Sequence, residues 1–394
     1  MGLLELPWLV QEELLKALDV VSLFMLSFAS KKTKKLIQSV RFGECKANIF
    51  VDGKPNHFEI KLLSLFPTDF ALIFKSKSSF STKDTGDINL KKEPKLALDI
   101  DGCTLKVRRI DCSNQETIFW LNGKYLKSMY SVLVKYLCNL FNEKVHGVEL
   151  HKVKKHLIAD GIRDMKFGDI RDYNNHNEII KAKNLDKFLR RVPAKDCLTI
   201  TYKLRGRFPS DSPFYRVLDL LVNDGKEITR TDLLLFEGEN AFICRANIDF
   251  SDVLQFLKHW MSGKSRNLET MIVSTRDALI VDKDELRKRF GARRWNPKQR
   301  AQNFVYSLYD HVRSAIGKLL CDKDFDCSTG FDIERVDGRL ATIKFTKNRF
   351  FFFVWNHILT SRVEECRKTS LDAITEEDEE EEQQDNGTVI SLDY

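Results

Sequence analysis

The sequence predicts an α/β chain in two parts: a small all-helical unit at the N-terminus, then a larger body of unequal strand and helix units stacked on one another. Three observations predict it. The first forty or so residues place their apolar positions at helical spacing. From Cys45 the period shortens to that of strands. In the second half of the chain strand-like and helix-like segments alternate, the rhythm that builds a parallel sheet rather than an all-β sandwich. A chain of 394 residues is long enough for two or three such units.

The helical unit comes first. Pro7 sits where a first-turn proline costs nothing, because its missing N–H would have no partner anyway. Behind it Val10, Leu14 and Ala17 or Leu18 recur at helical spacing, with Gln11, Glu12, Glu13 and Lys16 between them, which predicts one amphipathic helix. Asp19 or Ser22 can cap a second helix carrying Leu23, Met25 and Leu26. Ser30 can cap a third, in which Lys31, Lys32, Lys34 and Lys35 surround Leu36, Ile37 and Val40. Three helices in so short a stretch bury too little surface to stand alone, so the unit must lean on a neighbouring domain, a partner or both.

Beyond it, "KANIFVDG" and "HFEIKLLS" read as strands with a turn at Asp52-Gly53, and "KLALDIDGCTLKVRRID" as a hairpin turning at Asp101-Gly102. The polar stretch from Lys75 to Asp87 reads as an exposed loop. Helical spacing returns through Leu126, Met129, Leu133, Leu137 and Leu140. Then "VHGVELHKV" is strand-like, "NHNEIIKAKNLDKFLRRV" helical, "CLTITYKLR" strand-like and "DSPFYRVLDLLV" helical. "DLLLFEGENAFICRANI" is extended, "DFSDVLQFLKHWMSG" a capped helix and "NLETMIVST" a strand. Each unit has an apolar face that only a neighbour can cover, as in leucine-rich repeats, which the stack resembles in kind though not in regularity. The last folded part turns at Asp337-Gly338 and ends in Phe350 to Trp355, an aromatic run that must be covered on both sides. The predicted boundaries are 1–42, 43–119 and 120–360, followed by a disordered acidic tail over 372–394.

Composition narrows the function. No apolar run approaches the roughly 20 residues a membrane-crossing helix needs. Glu5, Glu12 and Glu13 precede any basic residue, unlike a secretory leader, and Leu6 stands where N-myristoylation wants Ser or Thr. Nine cysteines, an odd number scattered from Cys45 to Cys366, suit a reducing compartment, so a cytoplasmic or nuclear location is expected. From Asp372 on there are ten acidic residues and no Lys or Arg, which leaves residues 1–371 with a net charge of +17. Such a body can steer an acidic protein or a nucleic acid towards itself.

Chemistry-bearing motifs are scarce. The sequence has no GxGxxG, no GxxxxGK[ST], no GxSxG elbow and no kinase signature set, and "GKSR" at Gly263 follows a helix. His146, His151 and His156 lie five apart in strand-like surroundings, and Cys321 and Cys327 have no second pair, so no metal and no cofactor is expected. Asp322, Asp324 and Asp326 stand at calcium-loop spacing, but Cys327 and Ile333 replace the required glycine and glutamate, leaving a solvent loop. In "RKRFGARRWNPKQR" the arginines, Arg293 and Arg294 among them, can be read with Phe290 and Trp295 as a clamp that holds phosphates and stacks a base, and the stretch can also be read as a nuclear-import signal. It can also be read as a turn with Trp295 as a buried anchor under arginine stems. The catalytic list is empty.

Two stretches carry a resemblance. Leu6-Pro7, Leu14, Leu15, Leu18, Asp19, Leu23, Leu26 and Ser30-Lys31 resemble an F-box. "DLLLFEGENAFI" with "DFSDVLQFLKHWMSGKSRNLETMIV", containing Phe256, Leu257 and Trp260, and "FDIERVDGRLATIKF" with "FFFFVWNH", containing Trp355, resemble the nematode proteins that join an F-box to a type 2 F-box-associated domain. Val20 departs from the proline that often follows Asp19, and Ser22 from a frequent acid. The resemblance implies a non-catalytic adaptor: the F-box docks on a Skp1-like protein and through it on cullin and RING proteins, while the body holds a protein target for ubiquitin transfer. Leu6, Pro7, Trp8, Leu14, Leu23 and Leu26 are the expected docking residues, and Phe256, Leu257, Trp260, Trp295 and Trp355 the expected motif core. A scaffold that binds without delivering its target, and a nucleic-acid-binding protein, remain as alternatives.

Overall fold

The computed structural model describes residues 2–42, 45–52, 59–64, 71–76, 95–100, 102–111, 116–121, 126–142, 145–151, 165–170, 179–305 and 324–355. The loop expected over 75–87 and the acidic tail lie mostly or wholly outside the described residues. After a 3-10 turn at Leu3–Glu5 come α1 (Trp8–Ala17), α2 (Val20–Leu26) and α3 (Lys31–Ser39). Of the two candidate caps for α2, Asp19 does the capping, accepting from the Ser22 amide at 2.8 Å and from the Ser22 hydroxyl at 2.6 Å. Ser30 caps α3 by accepting from the Thr33 amide at 3.0 Å.

The small unit leans on the body, as its size requires. Helix α4 (Leu126–Phe141) receives it. Phe24 lies edge-on to Phe119 and Tyr136, with centroids 5.6 and 6.1 Å away, and the Ser27 and Tyr136 hydroxyls share a hydrogen bond of 2.7 Å. Gln38 donates to the Asn139 carbonyl at 3.2 Å.

Strands β1 (Cys45–Asp52), β2 (Glu59–Ser64), β3 (Ala71–Ser76), β4 (Lys95–Ile100), β5 (Cys103–Asp111) and β6 (Glu116–Leu121) form a flank in which only β3 and β6 pair in parallel. Ile100 opposes Cys103, which leaves the expected two-residue turn, and Gly102 takes φ +83° there. The central strands are β7 (Val145–His151), β8 (Met165–Ile170), β9 (Ile179–Lys181), β10 (Ala194–Arg205), β11 (Asp219–Asp224), β12 (Asn240–Ala246) and β13 (Thr270–Thr275). They run in parallel from β1 to β13, with β8 and β9 both flanking β10. The remaining strands are β14 (Arg293–Arg294), β15 (Asn303–Val305), β16 (Asp324–Asp326), β17 (Phe331–Glu334), β18 (Leu340–Thr346) and β19 (Arg349–Val354), with β19 antiparallel to β13. Among the described residues 17 strands join into one sheet, and β15 and β16 pair separately.

The linking helices are α5 (Ala182–Arg191) before β10, α6 (Arg230–Leu235) before β12, α7 (Phe250–Met261) before β13 and α8 (Lys283–Phe290). A 3-10 turn at Pro213–Arg216 replaces a helix before β11. Because the links differ, no leucine-rich type of repeat emerges among the described residues. Three expected assignments are corrected. Ile179–Lys181, read as part of a helix, is β9, drawn into the sheet by its pairing with β10, and the helix starts only at Ala182. "LDLLV", read as helix, is β11, because a short run buried on both sides looks alike in either period. The start of "DLLLFEGENAFI", read as extended, is α6, closed by a capping box in which Asp232 accepts from the Thr229 amide at 2.8 Å.

The aromatic run at β19 is covered on both sides. Phe350 and Phe352 meet Phe256, and Phe352 meets Trp260 of α7, at 5.2–5.8 Å. Phe351 and Phe353 meet Phe304 and Phe325 of β15 and β16 on the opposite face. That second layer overturns the solvent loop expected around Asp324 and Asp326: the segment is a strand because Phe325 points into this smaller core. Asp322 and Cys321 lie outside the described residues.

Candidate protein-docking site

Helix α1 is amphipathic, as its spacing predicts, and the structure decides which of its sides is covered. Its buried residues are Gln11 and Leu15. Gln11 donates to the Leu6 carbonyl at 2.8 Å, which ties the chain entering the helix to its first turn. The stripe of Val10, Leu14 and Leu18 points outward, at 44, 45 and 38 % exposure, and Leu4 at 45 %, Trp8 at 46 % and Leu9 at 72 % are exposed on the same segment. Six large apolar side chains stand exposed on this short segment, and Val10, Leu14 and Leu18 among them share one stripe at helical spacing, the kind of surface a protein partner covers. Lys16, with Glu12 at 2.9 Å and Glu13 at 3.2 Å, supplies charge on the same helix.

The expected docking residues divide. Pro7, Trp8 and Leu14 are exposed, while Leu6 and Leu26 are half-buried. Leu23 is buried at 4 %, so its expected place at the contact surface is corrected: α2 turns it inward beside Val20, Val21 and Phe24. Val20, at 2 % exposure, fills core space where an F-box often has proline, and Ser22 braces the Asp19 cap. Leu4, Leu9, Val10 and Leu18 were missed as docking candidates. For Val10 and Leu18 the signal was the 3.6 period that they share with Leu14, which marks a face without saying which way it points.

Of the expected motif core, Phe256, Leu257 and Trp260 on α7 are fully buried and Trp355 is 7 % exposed. The Arg335 guanidinium lies 4.8 Å from the Trp260 ring centroid and grips Asp337 at 2.6 Å, so this arginine clamps the hairpin turn to α7. Trp295 is only half-buried, and the buried anchor of its segment is Arg300. Arg300 contacts Asp332 at 2.8 Å, donates to the Cys327 carbonyl at 3.0 Å and stacks 4.7 Å from the Trp355 ring centroid. Thr342 donates to Asp332 at 2.7 Å and accepts from the Trp355 indole at 2.7 Å, which completes a polar network inside the smaller core. Arg293 and Arg294 are exposed on β14, the edge strand beside β17.

A second buried polar row crosses the parallel strands. Asp219, Asn240 and Thr270 share one register across β11, β12 and β13 and are at most 3 % exposed. Asn240 donates to Asp219 at 2.8 Å. Burial lifts the Asp219 carboxyl to about 6, against the downward pull of the Asn240 bond, and the neighbouring Glu239, Asp196 and Glu269 push it further up. The Cys327 thiol is pushed up to about 12, chiefly by burial, and behaves as an apolar core residue. Among the described residues no group of three His, Cys, Asp or Glu could hold a metal ion; His146 and His151 lie in β7, and His156 is outside the described residues. No helix among them is long and apolar enough to cross a membrane.

Residues 3–45 match the F-box domain family, and residues 214–273 match the type 2 F-box associated family. The first stretch spans α1 to α3, and the second runs from the 3-10 turn before β11 into β13. The chain is similar to two uncharacterized proteins of Caenorhabditis elegans. It is 26 % identical to F59B2.9 over 93 % of this chain and 82 % of that protein. It is 25 % identical to F59B2.8 over 43 % of this chain and 38 % of that protein. No solved structure matches.

Proposed function

We propose that this chain, which carries an F-box domain and a type 2 F-box-associated domain, is the substrate-recognition subunit of an SCF-type cullin-RING ubiquitin ligase. Both domains are non-catalytic interaction modules, so the protein contributes proximity and orientation while partners make and break bonds. The observation that carries the reading is the outward apolar stripe of α1, which lies within the F-box match and is the surface that a Skp1-like adaptor would cover. In this reading residues 1–42 dock, 43–119 connect, and 120–360 hold the target. The succession of parallel strands from β7 to β13 supports a body of stacked unequal units, akin to leucine-rich repeats without their period.

The test is equilibrium binding of the purified full chain to a Skp1-like adaptor, followed by capture of the pair on a cullin-RING assembly. Saturable binding, lost when the α1 stripe is altered in a protein that still folds, supports the role. Absence of binding by well-folded wild-type chain refutes it and turns the reading to a scaffold that works without the ligase.

A further inference from the structure

The docking stripe on α1 leaves unused a cationic corner at the C-terminal end of β10. There β9 and β10 pair so that Arg205 stands directly opposite Lys181. Like charges facing each other across a strand pair weaken it, and an anion between them reverses the sign. Gly206, at φ +83°, turns the chain so that Arg207 joins the same place, and Lys183 in the first turn of α5 comes from the other side. These side chains line an open hollow of about 410 Å³. No side chain caps α5, so its first amides add the positive end of the helix dipole. Asp186 on the same helix and Asp211 in the following loop are held by Arg190, at 2.9 and 2.6 Å. Among the described residues no carboxylate is within ion-pair distance of the four cations of the hollow.

We propose that this hollow binds an acidic, Asp- and Glu-rich peptide segment of the protein that the body recognises, an inference that rests on the target-binding role proposed above. The hollow is open enough for a flexible chain, and Ile179, 56 % exposed and two residues before Lys181, offers an apolar contact beside the cations. Single-stranded nucleic acid would want exposed rings to stack on, and among the described residues the large exposed aromatic is Trp8, on the F-box helix α1. The chain's own run Glu376–Glu382 has the same chemistry as the proposed ligand and competes with it in cis.

The test uses full-length chain in which each glutamate from Glu376 to Glu382 is changed to Gln, with fluorescein-labelled octaglutamate as the probe at low salt. Saturable binding is expected, weakened at least about tenfold by Lys181→Glu with Arg205→Glu. The milder pair Lys183→Gln with Arg207→Gln should weaken it at least about threefold. The control pair Arg293→Glu with Arg294→Glu makes the same charge change as the first pair at another exposed place and should leave binding within about twofold. No binding, or equal weakening by the hollow and control reversals, overturns the site. Tighter binding of a short single-stranded RNA, lost with the same hollow pair, overturns the peptide in favour of nucleic acid. Adaptor binding is measured on the same proteins. If adaptor binding fails while octaglutamate still binds, the ligase role falls and the hollow stands; the converse sinks the hollow alone.

Discussion

Replacing Leu9 and Leu14 with alanine tests the direction in which α1 points. Each change deletes three carbons, worth about 0.8 kcal/mol apiece when fully removed from water. Only the fraction still exposed in the free protein is left for a partner to bury, 72 % at Leu9 and 45 % at Leu14. Together the two sites should therefore contribute about 2–3 kcal/mol to docking, and the double variant should bind a Skp1-like adaptor roughly 30- to 150-fold more weakly. Titration calorimetry reads the affinity, and urea denaturation of the same samples reads the fold, which should lose at most about 2 kcal/mol for the parts of the two side chains already covered in the free protein. Leu23→Ala is the counterpart: at 4 % exposure it should lower stability by about 2–5 kcal/mol and change the affinity of the folded molecules little. A double variant that binds within threefold of wild type while staying folded would refute the docking role given to these side chains.

Three further outcomes test the body. Burial holds the folded-state pKa of Asp219 near 6 against an ordinary 3.8. The folded protein therefore keeps a proton that the unfolded chain has released, and stability falls as pH rises through that window. The loss is at most about 3 kcal/mol and persists above pH 6. Asp219→Asn keeps the bond to Asn240, should remove this part of the pH dependence and should raise neutral-pH stability; denaturation curves for the two proteins that stay parallel from pH 4.5 to 7 would contradict it. Gly238→Ala would drive a Cβ into the Val217 carbonyl oxygen and to 2.8 Å from that of Leu218. Backbone atoms cannot swing aside, so a loss above about 2 kcal/mol is expected in chemical denaturation. Arg300→Met leaves Asp332 charged and buried and should cost about 3–5 kcal/mol, whereas adding Asp332→Leu should recover at least half of it; a double variant no more stable than the single would show that the charge pair is not the reason.

The parts of the fold legible in the sequence were those written in neighbouring residues. Asp19 and Ser30 cap where their positions said they could, the Gly102 and Gly338 turns form, and the Phe350–Trp355 run is sandwiched because apolar residues on both faces demand cover. Periodicity failed where it is silent about direction. The stripe through Val10, Leu14 and Leu18 satisfies a core face and a docking face equally, and only the burial of Leu15, on another side of the helix, decides between them. Burial on both faces erased the strand period of β11, and the Thr229–Asp232 capping box was overridden by the leucines that follow it. Arg300 looked like one basic residue among several because Asp332, its partner, is 32 residues away. The cationic hollow is equally invisible, since Lys181 and Arg205 meet only through the pairing of β9 with β10.

The way the helical unit is joined to the body bears on how such an adaptor would work. A subunit that acts by proximity gains from a fixed distance between the surface that docks and the surface that holds the target, because a loose joint dilutes the effective concentration of the held protein. Here the joint is part of one continuous core: Leu15, Phe24 and Ile37 belong to the same buried cluster as Phe119, Tyr136 and, further along, Trp260. Phe28 stacks on Tyr136 at 5.6 Å, the Ser27 to Tyr136 hydrogen bond closes the contact, and Lys34 lies over the same ring at 4.2 Å. Tyr136 is thus the post on which both parts turn. Tyr136→Ala should loosen the orientation of α1 relative to the sheet while leaving the α1 stripe intact. In a reconstituted ligase, adaptor affinity should then persist per folded molecule while modification of a target held by the body slows. Equal losses of both would mean that the helical unit needs the body to fold at all, and that the joint stabilises the unit rather than aims it.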